Sequence, residues 1–303
     1  MIALHPISAD TERRLVAAGL DPDAVVAVVH SALREDLGDG VDVTSTATIP
    51  PDQRCTATFG ARRAGTVAGL AVAAAVVEVV CGDAASHVEH LAADGDTVAA
   101  GQPVARVTAP TALMLTAERT ALNLLCHLSG VATLTARWVE RLAGTECRVR
   151  DTRKTLPGLR AMQKYAVRCG GGSNHRMGLF DMALVKDNHV AAAGGVAEAY
   201  AKVKALSASM PVEIEVDTLE GLRVAIAAGA DEVLIDNFST DEMREAVAIR
   251  DESGAEVRLE ASGGLTVDRA AEVAATGVDF IAVGELTHSA TVLDLGLDLE
   301  TII

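Results

Sequence analysis

From residue 147 onward, apolar and polar positions repeat: a short β-branched run, then an amphipathic, alanine-rich segment. The runs are CRVRDTR (147–153), DMALVKDN (181–188), PVEIEVD (211–217), DEVLIDN (231–237), EVRLEAS (256–262) and VDFIAVG (278–284). Between the later runs, TLEGLRVAIAAGA (218–230) and TVDRAAEVAATGV (266–278) have helical spacing, with Thr218 and Thr266 as expected N-caps and Gly229 and Gly277 closing the helices. Strands alternating with helices predict a parallel β/α architecture. Only six runs stand out, so the pattern alone leaves a full barrel, an open barrel and a doubly wound sheet all possible.

The earlier part reads differently. ATFGARRAGTVAGL and HVEHLAADGDTVAAGQPVARVTAP look like antiparallel strands joined by Gly and Asp turns, flanking an Ala/Val-rich helix over 69–81, which predicts an α+β domain. A long helical stretch, 116–144, follows, with Gly130 as an expected break. DGDTVAAGQPV resembles a lipoyl-type turn but has no lysine at the turn, so it reads as a hairpin.

Composition narrows the classes. The chain has 303 residues, half of them apolar, enough to bury a substantial core. With 42 acidic against 26 basic residues and a net charge of -16, a general nucleic-acid or anionic-membrane binder is disfavoured, and 2% aromatics supplies no stacking platform for bases. The 69–81 segment carries Glu78 and is shorter than the ~18 residues of a membrane span, so a buried helix is expected. Five scattered cysteines (Cys55, Cys81, Cys126, Cys147, Cys169) fit reduced thiols in a cytoplasmic protein, and the N-terminus has no export-signal layout.

Against that acidic background, residues 150–176 hold Arg150, Arg153, Lys154, Arg160, Lys164, Arg168 and Arg176, with Asp151 as their only acid. Arg160, Lys164 and Arg168 are spaced i, i+4, i+8, which suits a solvated helix stripe. Arg153 and Lys154 end a strand, and His175 and Arg176 follow the GGGSN turn; such groups suit planar carboxylates and phosphates. Charged or glycine residues end the other runs too: Lys186-Asp187, Glu215 and Asp217, Asp236-Asn237, Ser262-Gly263-Gly264 and Gly284-Glu285. In parallel β/α folds the ligand sits beyond those strand ends. Period-two alternation puts Glu213, Glu215 and Asp217 on one strand face, a crowding that a divalent ion, lysines or both would relieve. A solvated acidic edge strand is the plainer alternative. HVEH (87–90) has no third matched metal ligand, and His127, His189 and His288 stand alone.

Long ordered blocks then carry a resemblance. EDLGDGVDVTS (35–45), AERTALNLLCHLSGVAT (117–133), DTRKTLPGLRAMQKYAVRCGGGSNHRMGLFDMALVKDNH (151–189), EIEVDTLE (213–220), LIDNFS (234–239), LEASGGL (259–265) and VGELTHS (283–289) resemble the quinolinate phosphoribosyltransferase family, nearly end to end. The resemblance implies an N-terminal α/β sandwich over 1–127, on which the tail 290–303 packs, and an open, seven-stranded β/α barrel over 128–289. It implies a homodimer, open to higher assembly, whose active site borrows from the partner's N-terminal domain, beside the cytoplasmic location and the absence of nucleic-acid and membrane partners that composition suggests. The implied reaction joins quinolinate and 5-phosphoribosyl-1-pyrophosphate, with Mg2+, to give nicotinate mononucleotide, pyrophosphate and CO2.

On that resemblance Arg153, His175 and Arg176 grip the carboxylates of quinolinate, with Thr152 beside them and Arg119 supplied by the partner subunit. Lys154 and Lys186 neutralise substrate anions and pyrophosphate. Glu215 and Asp236 hold Mg2+ or the ribose hydroxyls, and Lys154, Glu215 and Asp236 are the expected catalytic set. Backbone N–H groups around Ser262, Gly263 and Gly264 and around Val283, Gly284 and Glu285 bind the 5-phosphate, although Glu285 sets an acid beside it. Two rivals remain: a paralogous enzyme acting on another aromatic acid, and a non-catalytic metabolite-binding protein, which has no need of Lys154, Glu215 and Asp236 together.

Overall fold

The structure, a computed structural model, describes residues 4–302. The chain divides into two compact units, one of 1–134, 156–171 and 289–303, the other of 135–155 and 172–288.

The first unit begins with three helices, α1 (Ala9–Ala17), α2 (Pro22–Leu37) and α3 (Val43–Thr48). Strands β1 (Arg54–Ala61), β2 (Gly65–Thr66), β3 (His87–His90), β4 (Thr97–Val98) and β5 (Pro103–Pro110) follow, with α4 (Leu70–Cys81) between β2 and β3. Every residue of α4 is buried, as its composition predicts. Its one acid, Glu78, is satisfied there by the Ser8 backbone N–H and the Ser8 and Thr11 hydroxyls, at 2.8–2.9 Å. The main sheet is antiparallel, ordered β12-β1-β5-β3, its outer strand β12 (Leu295–Ile302) coming from the C-terminus.

Helix α5 (Thr111–Arg141) runs unbroken through Gly130. The sequence suggested a break there, but the glycine answers a packing need: a Cβ at Gly130 would lie 2.3 Å from the Thr291 carbonyl oxygen. Helix α6 (Arg160–Cys169) also belongs to this unit, and on it Lys164 is fully buried rather than part of a solvated stripe.

The second unit contains all six parallel strands that the hydrophobic pattern marked. They are β6 (Arg148–Arg150), β7 (Ala183–Val185), β8 (Val212–Val216), β9 (Glu232–Asp236), β10 (Arg258–Ser262) and β11 (Phe280–Ala282), in the order β6-β11-β10-β9-β8-β7. Ser173 adds a single parallel bridge to Arg150, outside β6. The seventh strand position of this open β/α barrel is thus reduced to one residue, too short to leave a mark in the periodicity. Between and after these strands lie α7 (Asp187–Ala193), α8 (Val196–Leu206), α9 (Leu219–Ala228), α10 (Thr240–Ser253), α11 (Ala270–Ala274) and α12 (Glu285–His288). Thr218 caps α9 by accepting from the Gly221 N–H, and Gly229 closes it in the left-handed region, as expected. Thr266 does not cap: it precedes a 3-10 turn over Val267–Arg269, and its side chain accepts no cap hydrogen bond.

One strand face carries Ile214, Val233, Ile235, Leu259 and Ile281, all buried. The alternate positions form the other face: Glu213 and Glu215, Glu232, Leu234 and Asp236, Arg258, Glu260 and Ser262, and Phe280 and Ala282. Parallel register aligns Ser262 with Asp236, Glu260 with Leu234 and Glu215 with Leu234, so the polar ends arrive at one level.

Candidate active site

A cavity of about 440 Å³ opens at the C-terminal ends of these strands, lined by Thr152, Arg153, Lys154, His175, Arg176, Lys186, Glu215, Asp236 and Ser262, with Leu184, Leu234 and Ala282 as its apolar part and Glu260 among them. An adjoining cavity of about 330 Å³ shares Thr152, Lys154, Asp236, Ser262 and Ala282 and adds Asn237, Gly263, Gly264, Val283, Gly284 and Glu285. Four cations from three chain segments thus meet around one space. An apolar strip suits a flat ring, and the glycine-rich turns suit a compact anion.

The turns are shaped for close approach. Gly263 has φ +99°, and a Cβ there would strike the Asn237 Oδ1 at 2.1 Å. Asn237 itself takes a positive φ of 59° and donates its N–H to the Ser262 carbonyl at 2.9 Å. At Gly284 a Cβ would meet Lys154 Cδ at 3.0 Å, so glycine leaves room for the lysine stem. The Val283 N–H is donated to the Arg150 carbonyl at 2.9 Å, which corrects its expected use as a phosphate donor.

Two guanidiniums crowd one side. Burial and the nearby Arg153 charge push the Arg176 pKa below its ordinary value, opposed by Glu213 and Asp181. Its Nη1 donates to the Met182 carbonyl at 3.0 Å, and the Arg153 Nε is buried without a partner. Like charges held together with a buried donor to spare call for an anion between them.

Glu215 is paired with Lys186, and Asp236 accepts from the Asn237 side-chain amide at 2.7 Å. The acidic face of β8 is therefore met residue by residue: Lys186 pairs with Glu215, and His175 Nε2 lies 2.7 Å from Glu213. This is not a solvated edge, since β8 has a neighbour on each side and Glu213 is fully buried.

His175 is more enclosed than its sequence context suggests, with its side chain 6% exposed. Its Nδ1 accepts the Arg176 N–H at 2.7 Å, so Nε2 carries the hydrogen that it donates to Glu213. Both ring nitrogens are thus engaged inside the protein. Asp151 fixes the same turn, accepting from the His175 N–H at 3.0 Å and the Asn174 amide at 2.5 Å.

Beneath the cavity is a charge cluster that the strand-end reading did not pick out. Arg150 Nη1 donates to Glu232 at 2.6 Å and to Glu260 at 3.0 Å, and its guanidinium stacks 3.3 Å above the Phe280 ring. Arg258 also pairs with Glu232. The alternation that exposed Glu213 and Glu215 was equally present in Arg258-Leu259-Glu260-Ala261-Ser262, and would have placed Glu260 on the inward face.

Of the basic residues expected together, Arg153, Lys154, Arg176 and Lys186 share one cavity, whereas Arg160, Lys164 and Arg168 lie in the other unit. Arg119 is exposed on α5 of the first unit.

Residues 42–129 match the family described as quinolinate phosphoribosyl transferase, N-terminal domain, and residues 131–298 its C-terminal domain. The chain is 49% identical over 277 residues to the nicotinate-nucleotide pyrophosphorylase [carboxylating] of Mycobacterium leprae, covering 91% of this chain and 98% of that one. It is 41% identical over 266 residues to the probable enzyme of that name from Bacillus subtilis, covering 88% and 90%. The solved nicotinate-nucleotide pyrophosphorylase of Francisella tularensis superposes with a TM-score of 0.86 at 40% identity, covering 92% of this chain and 96% of that one. Both halves match in order and nearly at full length: the chain belongs to the quinolinate phosphoribosyl transferase family.

Proposed function

We propose that this chain transfers the phosphoribosyl group of 5-phosphoribosyl-1-pyrophosphate to quinolinate with loss of CO2, giving nicotinate mononucleotide and pyrophosphate in NAD biosynthesis. The observation that carries the reading is the single cavity in which Arg153, Lys154, Arg176 and Lys186 stand opposite Glu215 and Asp236. A dicarboxylate and a phosphorylated sugar desolvated together need such a concentration of cations. Arg153 and Arg176 take the carboxylates of quinolinate, and the strip of Leu184, Leu234 and Ala282 takes its ring face. The 5-phosphate belongs in the adjoining cavity, beside Gly263, Gly264 and Gly284. Lys154, reaching both cavities, and Lys186 balance the charge of the departing pyrophosphate. Glu215 and Asp236 favour the positive charge that develops on the ribose as pyrophosphate leaves.

The same two carboxylates suit Mg2+: they are hard oxygen donors on adjacent strands at the cavity wall, few in number, as fits an ion that keeps water and phosphate ligands. When bound, Mg2+ would neutralise pyrophosphate charge. A homodimer that supplies Arg119 to the partner's site, and a cytoplasmic location, complete the reading. No single helix among the described residues is long and apolar enough to cross a membrane.

With quinolinate, 5-phosphoribosyl-1-pyrophosphate and Mg2+, the purified protein is expected to release CO2 and pyrophosphate in equal amounts. Lys154→Ala and Glu215→Ala should each lower the rate by about 100-fold or more, on the scale of losing one electrostatic contact to a transition state. Turnover of nicotinic acid but not quinolinate would favour the paralogous enzyme instead.

A further inference from the structure

His175, Glu213 and Glu260 lie together at the base of the larger cavity, with one ligand-type atom from each within 4.8 Å of the others. His175 Nε2 is 2.7 Å from Glu213 and 3.7 Å from the Glu260 Oε1, and both His175 and Glu260 line the cavity. The Glu213 Oε1 and the Glu260 Oε1 are buried without a hydrogen-bond partner. Two such orphan oxygens need a metal or a proton.

The imidazole decides between them. A metal at Nε2 would move the ring hydrogen to Nδ1, where it would collide with the Arg176 N–H already donated there at 2.7 Å. The charge balance also calls for a proton. Glu213, Glu232 and Glu260 are three buried carboxylates, and the cations paired with them are Arg150 and Arg258, leaving one negative charge over when His175 is neutral. Because Nδ1 is occupied, the proton falls to one of the two orphan carboxylate oxygens, and of these two residues Glu260 is the one that lines the cavity.

We propose that Glu260 is the proton donor that completes decarboxylation, returning a hydrogen to the ring carbon from which CO2 departs. The proposal rests on the phosphoribosyl transfer reading above. Ribosylation makes the ring nitrogen cationic, the carbon–carbon bond to the adjacent carboxylate breaks, CO2 leaves, and the electron pair stays on the ring carbon. Until it is protonated that pair can recapture the CO2, so net release waits on the proton from the Glu260 Oε1; the O–H bond breaks and a C–H bond forms. Glu260 is left as a carboxylate whose other oxygen already accepts from Arg150 at 3.0 Å, and solvent restores its proton after product leaves. Burial, then the Glu213 charge, holds the Glu260 carboxyl well above the ordinary carboxylate range, against the opposing pull of His175 and Arg150, as a general acid requires. The groups facing it are His175, Glu213 and Arg150, with Glu232 beyond Arg150.

The test separates the two half-reactions. In single turnover with quinolinate carrying label in the carboxyl next to the ring nitrogen, the wild-type enzyme is expected to release pyrophosphate and labelled CO2 together. Glu260→Gln, equal in size and unable to donate that proton, should release pyrophosphate within about fivefold of the wild-type rate but labelled CO2 at least about 100-fold more slowly, with the ribosylated dicarboxylate accumulating. Glu260→Asp should restore part of the CO2 release. Equal loss of both products, or loss of neither, overturns the proposal. A wild-type enzyme that releases neither product defeats the functional reading itself. Should Glu260→Gln fail to fold, wild-type CO2 release must slow at least about twofold in D2O while pyrophosphate release does not; no such difference overturns the proposal.

Discussion

Glu260 shows how one residue links stability to chemistry. Its carboxyl is held above its ordinary value of 4.5 by burial first and the Glu213 charge second, so the folded protein binds a proton that the unfolded chain releases. The stabilisation is complete below the unfolded value and is lost as pH rises through the raised folded value. From about pH 4.5 to about 7, urea unfolding should show Glu260→Gln gaining on the wild type as pH rises, with a slope of up to about 1.4 kcal/mol per pH unit inside that window and none above it. A difference that does not change with pH would mean that Glu260 carries no bound proton. In the sequence, Glu213 and Glu215 were visible as a crowded pair of acids, because both stand in one short run. Alternation also carried the inward place of Glu260, but its union with Glu232 and Arg150 was not legible, because what joins them is the register between separate strands, and no single segment holds that information.

At the scale of elements, strong periodicity was enough to place all six parallel strands, and an almost wholly apolar composition the buried helix α4. What escaped depends on contacts distant in sequence or on very short pieces. Ser173 contributes one bridge, below the length at which alternation can register. Gly130 looked like a helix break, since glycine is a poor helix former, but the Thr291 backbone leaves no room for a side chain. Gly130→Ala therefore sets a small propensity gain against overpacking, and the clash should win, destabilising the protein by about 1–3 kcal/mol in urea unfolding. A stabilised variant would show that the segment around Thr291 is free to move aside.

For the whole molecule, the basic stretch 150–176 is not one functional surface. Arg153, Lys154 and Arg176 stay with the barrel, while the excursion 156–171 takes Arg160, Lys164 and Arg168 into the other unit. No composition shift marks that exchange, whereas the strand-end convergence was legible because parallel β/α folds bring their C-terminal ends together. The central claim is that cations from separate segments meet around one dicarboxylate. Calorimetric titration of quinolinate into wild type, Arg153→Ala and Arg176→Ala tests it most directly. Each charge-assisted contact contributes about 1.5–3 kcal/mol, so each variant should bind roughly 10- to 100-fold more weakly. Undiminished quinolinate affinity in both variants would contradict the account.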